Sequence, residues 1–90
     1  MIMTNTQLPD WFKGEVYEKG EVATNPYSQE SIELNNVELS IYDFILGATM
    51  WLYYHSDDDS QNVSDTQRDL DKGIEWFKKV NPEAYIVLLD

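Results

Sequence analysis

The residues with the most chemical potential in this chain are one histidine and three nearby aspartates: His55, Asp57, Asp58 and Asp59. Carboxylates with an imidazole suit a divalent cation, and a histidine beside a carboxylate is a common start for acid–base catalysis. The same run is also typical of a solvated acidic loop. We favour the loop, because a calcium-binding loop beginning at Asp58 would lack the glycine and the final glutamate that such loops need.

Other patterns that accompany catalysis are missing from the sequence. There is no cysteine, which excludes a thiolate nucleophile and a thiolate zinc site. The glycines are isolated from one another, so no glycine-rich phosphate loop is present. We therefore expect no enzymatic activity, no metal and no nucleotide cofactor.

The charge of the chain limits its partners. Seventeen acidic residues against six basic ones give a formal net charge of −11, and no basic residue lies between Lys19 and Arg68. Such a charge disfavours direct binding to nucleic acid or to an anionic membrane. We expect a basic or neutral protein partner instead.

The length of 90 residues suits a single small domain, whose burial is marginal. Association with a second copy would add burial, which raises our expectation of a homodimer or higher homo-oligomer. Residues 1–9 are predicted to form a loose N-terminal arm, without the pattern of a signal peptide. No apolar run reaches the roughly 20 residues of a membrane span, so we expect a soluble, cytoplasmic protein.

The longest apolar stretch, VELSIYDFILGATMWLYYH at Val37–His55, predicts a helix with two apolar faces. A surface helix normally has one apolar stripe. This helix is therefore either a core helix covered on both sides or one that keeps its second face for a partner. The first face includes Phe44 and Trp51, which we place in the core. The second face is our predicted interface: Leu39, Tyr42, Leu46, Met50 and Tyr53.

The segment before this helix predicts a β-hairpin that packs on it. Asn25-Pro26-Tyr27-Ser28 is a favourable turn, and the period-two spacing of the apolar residues suggests which side chains face inward. Those side chains are Val16, Val22, Ile32 and Leu34. A two-stranded hairpin is marginal alone, so it needs the helix for stability.

The helix boundaries follow from capping signals. The central helix has two possible N-caps, Asn35 and Ser40, and Ser64 begins a capping box for a second, antiparallel amphipathic helix. The apolar stripe of that second helix contains Leu70, Gly73, Ile74, Phe77 and Val80, where Gly73 would admit Trp51. Residues 82–89 read either as a short C-terminal helix begun by Asn81-Pro82 or as a buried strand, and we favour the helix. The predicted fold class is α+β.

Two stretches carry a resemblance: TNPYSQESIELNNVELSIYDFILGATM at Thr24–Met50 and GIEWFKKVNPEAYIVLLD at Gly73–Asp90. They contain an Asn-Pro-aromatic-Ser turn, an acidic helix start, Tyr-Asp within the helix and a closing Asn-Pro-Glu-Ala-Tyr. In these features the chain resembles a family of small proteins from marine bacteriophages and marine metagenomes. It departs from that pattern at Gln29, where glycine is common, so the turn type stays open. The family has no assigned activity, and the resemblance implies a phage or marine bacterial context.

Two functions fit these observations. The first is a small acidic interaction module that self-associates through the predicted interface. The second is an acidic phage regulator or decoy that binds a basic host protein or mimics nucleic acid, for which the long stretch without basic residues is the basis. If the protein is phage-encoded, its expected location is the host cytoplasm.

Overall fold

The computed structural model describes residues 8–12, 14–55, 57 and 61–89. The hairpin strands are β1 (Glu21–Thr24) and β2 (Ser31–Leu34), followed by α1 (Asn36–Tyr54) and α2 (Gln61–Val80). A terminal helix, α3, begins at Pro82–Ala84 and continues as a π-helix over Tyr85–Leu89. The α+β class is confirmed. Apart from Leu8 and Pro9, the predicted N-terminal arm lies outside the described residues.

The hairpin is shorter than predicted, and the face of β1 that points to the core is opposite to the predicted one. Ala23 pairs with Ile32, and Val22 pairs with Glu33. Ala23 and Leu34 are therefore the buried positions, while Val22 is exposed. The inward assignment is confirmed for Leu34 and wrong for Val22, because residues directly opposite each other in an antiparallel pair share a face.

The residues that precede β1 form no strand but are attached to α1. The Tyr17 backbone N–H donates to Ser40 Oγ at 2.9 Å, and the Tyr17 hydroxyl donates to the Asp43 carboxylate. Val16 is exposed in this segment, so its predicted inward position is wrong as well. Gly20 is needed for the close approach of this segment to β2, because an added Cβ would lie 2.0 Å from the Leu34 carbonyl oxygen.

A complete capping box starts α1. The Asn35 side chain accepts a hydrogen bond from the Glu38 backbone N–H at 2.8 Å, and Glu38 Oε1 accepts from the Asn35 backbone N–H at 2.9 Å. These two bonds satisfy backbone donors that a helix start otherwise leaves unpaired. The first of the two predicted helix starts is therefore correct.

The two long helices pack closely at one glycine. A Cβ added to Gly73 of α2 would lie 3.0 Å from Ile45 Cγ1 of α1 and 3.5 Å from Trp11 Cη2. The predicted neighbour of Gly73 was Trp51, but the side chains nearest to this glycine are Ile45 and Trp11. Trp51 stacks on His55, with ring centroids 4.1 Å apart. The core beside this contact contains Ile41, Ile45, Leu70 and Phe77.

The start of α2 lies upstream of its predicted cap. The helix begins at Gln61, so Ser64 lies within the first turn rather than before it. Gln61 Nε2 donates to Asp65 Oδ1 at 3.0 Å, an i,i+4 contact that supports the additional turn. On the predicted apolar stripe, Leu70 and Phe77 are buried and Val80 is exposed.

The terminal residues are helical, which confirms the helix and excludes the strand over residues 82–89. Asn81 caps this helix by accepting from the Ala84 backbone N–H at 3.1 Å, and its amide also donates to Glu38 Oε2 at 2.9 Å. Glu38 is only 7% exposed, yet both of its oxygens have donors. No helix within the described residues is both long and apolar enough to cross a membrane.

Candidate interaction surface

The predicted interface on α1 is exposed only in its C-terminal half. Leu46, Met50 and Tyr53 are exposed, whereas Tyr42 is 6% exposed and belongs to the hydrophobic core. Leu39 is partly buried against the same core. The assignment of Leu39 and Tyr42 to an open face is therefore corrected, because core packing already covers them.

Two tyrosines complete the exposed surface. Leu46, Met50 and Tyr53 line a groove of about 540 Å³ together with Tyr54 and with Tyr27 from the hairpin turn. We call these five residues the tyrosine patch; their exposed fractions run from 46% at Leu46 to 94% at Tyr27. Tyr27 and Tyr54 were not among the five residues of the predicted interface, although the aromatic cluster Trp51, Tyr53 and Tyr54 at the end of the helix suggests a contact surface from sequence alone. An aromatic residue placed beside a proline turn, where no strand or helix buries it, was the available signal for Tyr27.

The α1 members share a face because of their spacing. Leu46, Met50 and Tyr53 are separated by four and three residues, so they lie along one side of the C-terminal half of α1, and Tyr54 borders that side. The rings of Tyr53 and Tyr54 meet edge to face with centroids 5.6 Å apart. Thr49 also lines the groove, and its hydroxyl donates to the Ile45 carbonyl at 2.7 Å, so that hydroxyl already has a partner in its own helix.

Tyr27 is held at the groove by a well-bonded turn. Asn25 Oδ1 accepts from the Tyr27 backbone N–H at 2.8 Å and from the Ser28 backbone N–H at 3.3 Å. The Asn25 amide also donates to the Val87 carbonyl at 3.0 Å, which fixes the turn to the terminal helix. The position of Tyr27 is thus determined by contacts from two parts of the fold, while its ring stays open to solvent.

The groove carries no charged residue among those that line it. Its floor includes Tyr42, whose pKa is raised, first by burial and then by the negative charge of Asp43. The Tyr42 hydroxyl therefore stays neutral throughout the ordinary pH range. An uncharged surface of this kind stands out in a protein with a formal net charge of −11.

The size of the patch is informative. At the typical area of an aromatic side chain, the exposed fractions of its three tyrosines correspond to on the order of 500 Å² of surface, to which Leu46 and Met50 add. Contiguous apolar patches on monomeric proteins rarely exceed a few hundred Å², whereas each side of a standard protein–protein interface covers about 800 Å². The tyrosine patch is therefore of the size of one side of a modest interface.

The histidine and the acidic loop do not form a site within the described residues. His55 Nδ1 lies 2.8 Å from the Trp51 carbonyl oxygen, and its ring is stacked on the indole. Of the three aspartates, Asp58 and Asp59 lie outside the described residues. Within the described ranges, no three histidine, aspartate or glutamate side chains converge to hold a metal ion.

Comparisons with known proteins found no matching family, no matching curated protein and no matching solved structure.

Proposed function

We propose that this protein is a small interaction module without catalytic activity, and that two copies associate through the tyrosine patch. The observation that carries the proposal is the exposure of five large side chains around one uncharged groove. Tyrosine and methionine are enriched in interfaces, and tyrosine covers a large area at a low cost in side-chain entropy. The module would act in the cytoplasm, or in the host cytoplasm if it is phage-encoded.

A second copy is the occupant that fits this surface. In a symmetric dimer each patch faces its own equivalent, so an uncharged patch keeps the acidic parts of the two chains away from the centre of the contact. Tyr53 and Met50 would lie at that centre. A basic partner, in contrast, would gain little from a surface that offers no carboxylate.

The experiment is a measurement of mass in solution by sedimentation or light scattering across micromolar concentrations. We expect the wild type to dimerise and the double variant Met50→Glu, Tyr53→Glu to be a folded monomer, because each patch would then carry two buried charges. The matched control is Val22→Glu. Val22 is 58% exposed, close to the 61% of Met50, but it lies outside the patch, so this variant should still dimerise.

Salt distinguishes self-association from charge-driven binding. Because each copy carries a formal charge of −11, added salt should screen the repulsion and strengthen the dimer. A wild type that stays monomeric at high micromolar concentration and high salt would contradict the proposal. Unfolding of the double variant would also count against it, since it would assign Met50 and Tyr53 to the core.

The second candidate function is capture of a basic protein by the acidic surface. It is favoured by the exposure of Glu21, Glu30 and Glu33 on the hairpin, a part of the chain without a basic residue. Such binding should weaken steeply with salt, opposite to the dimer. It should also survive Met50→Glu, Tyr53→Glu and fail when the three glutamates are replaced by glutamine.

A further inference from the structure

A second groove lies on α2, away from the tyrosine patch. Its volume is about 830 Å³, and it contains two tryptophans, Trp11 and Trp76, together with three basic residues, Arg68, Lys72 and Lys79. We call this surface the α2 groove. It combines indole rings, which bind apolar side chains, with cations, which bind carboxylates.

The acidic residues of the α2 groove already have partners on their own helix. Asp71 Oδ1 accepts from Gln67 Nε2 at 3.0 Å, and Glu75 lies 3.5 Å from the Lys78 ammonium. Within the described part of the chain, Lys72 and Lys79 form no ion pair. These two ammonium groups are therefore the charges that remain available to a ligand.

The charge of α2 also differs from that of the rest of the chain. The helix contains four acidic and four basic residues and is formally neutral, so the whole net charge of −11 lies elsewhere. A short anionic ligand confined to the α2 groove would meet cations there. A long polyanion would continue beyond the groove and meet the acidic surface, so nucleic acid is disfavoured.

We propose that the α2 groove binds an acidic peptide segment of another protein. Lys72 and Lys79 are seven residues apart, a rise of about 10.5 Å along the helix. In a peptide with the polyproline II conformation, which has three residues per turn, carboxylates three residues apart lie on the same face and are separated by about 9 Å along the axis. The peptide would place one acidic side chain on each lysine and an apolar side chain against Trp76, which lies between them in the sequence.

The probe is a fluorescein-labelled decapeptide, Glu-Ser-Leu-Glu-Ser-Leu-Glu-Ser-Leu-Glu, titrated with the full chain and followed by fluorescence anisotropy. We expect binding that weakens with added salt and falls at least about tenfold for the double variant Lys72→Gln, Lys79→Gln, because two charge-assisted contacts are lost. The matched control is Lys78→Gln. Lys78 is on the same helix turn as Lys79 but pairs with Glu75 and does not line the groove, so binding should change less than about twofold.

Three further outcomes are decisive. A peptide with glutamine in place of each glutamate should not bind, and equal binding of the two peptides would overturn the proposal. Tighter binding of a labelled deca-deoxythymidine would assign the groove to nucleic acid instead. Binding should persist in the Met50→Glu, Tyr53→Glu variant, so failure here is distinct from failure of the tyrosine patch as a dimer contact.

Discussion

At the scale of single residues, the turn of the hairpin contains an unfavourable backbone conformation. Gln29 has a φ of 65°, in the left-handed region that suits glycine. Among the described residues other than glycine, it alone has a positive φ. Its backbone N–H still donates to the Asn25 carbonyl at 2.8 Å. The turn therefore requires a left-handed backbone conformation at a position where glycine would be favourable and where this chain has Gln29.

We expect Gln29→Gly to stabilise the fold by up to about 1 kcal/mol, because relief of the left-handed conformation exceeds the added entropy of the unfolded chain. The measurement is the midpoint of urea unfolding, followed by circular dichroism. Gln29→Ala is the control. Alanine has the same conformational penalty as glutamine, so a gain from alanine equal to that from glycine would contradict this explanation.

At the scale of elements, two helical glycines have opposite surroundings. A Cβ added at Gly47 of α1 meets no atom within 4 Å, whereas one added at Gly73 meets Ile45 Cγ1 at 3.0 Å. The first glycine costs helix stability without serving a contact. The second permits the close approach of α1 and α2.

Gly47→Ala should therefore raise the free energy of unfolding by about 0.5–1 kcal/mol. Gly73→Leu should lower it by about 1–3 kcal/mol, because the added side chain overpacks the contact with Ile45 and Trp11. Each variant is the control for the other, since both remove a glycine from a helix. Stabilisation by both substitutions would show that the helices can separate without cost.

The hairpin shows how far the sequence could be interpreted. The turn, the two strands and the inward position of Leu34 followed from local rules. The face of β1 did not, because the length of the loop sets the register and here pairs even-numbered residues with odd-numbered ones. Val22 and Ile32 both have even numbers, so they cannot lie on the same face of the hairpin. The sequence suggests that they do, because Val22 is more hydrophobic than Ala23.

The sequence predicted which side of α1 carries the exposed surface, but not how much of that side the core covers. A helical wheel places Tyr42 and Met50 on one side of the axis, and that is correct. It carries no information on how far along the axis other elements reach. The core covers Tyr42 and leaves Met50 open, and this difference arises from tertiary packing alone. Tyr27 joined the surface for the same reason, since its turn is fixed by a bond to Val87.

At the scale of the whole molecule, charge repulsion opposes the folded state. The formal charge is −11, and the ion pairs formed among the described residues are two exposed i,i+3 pairs on α2, Asp65 with Arg68 and Glu75 with Lys78. Exposed pairs of this kind contribute at most about 1 kcal/mol each. Screening by salt should therefore remove more repulsion than attraction.

We expect the thermal midpoint to rise by several degrees as sodium chloride increases from about 10 mM to about 500 mM. Repeating the scan at two protein concentrations separates this effect from dimer formation, which also depends on concentration. The control variant replaces Glu18, Glu21 and Glu33 with glutamine. It should be more stable at low salt and respond less to salt, whereas a midpoint that falls with salt would contradict the dominance of repulsion.

The Glu38 carboxylate also couples the opening of two helix starts. It accepts a hydrogen bond from the Asn35 backbone N–H at the start of α1 and another from the Asn81 side chain at the start of α3. Glu38 and Asn81 are 43 residues apart in sequence. Displacement of the Glu38 side chain therefore breaks one hydrogen bond at each helix start. Amide protons of Glu38 and Ala84 should therefore exchange with solvent deuterium through one shared opening, as a single cooperative unit. Asn81→Ala should divide that unit, so that the Ala84 amide exchanges much faster while the Glu38 amide, still bonded to Asn35, keeps most of its protection.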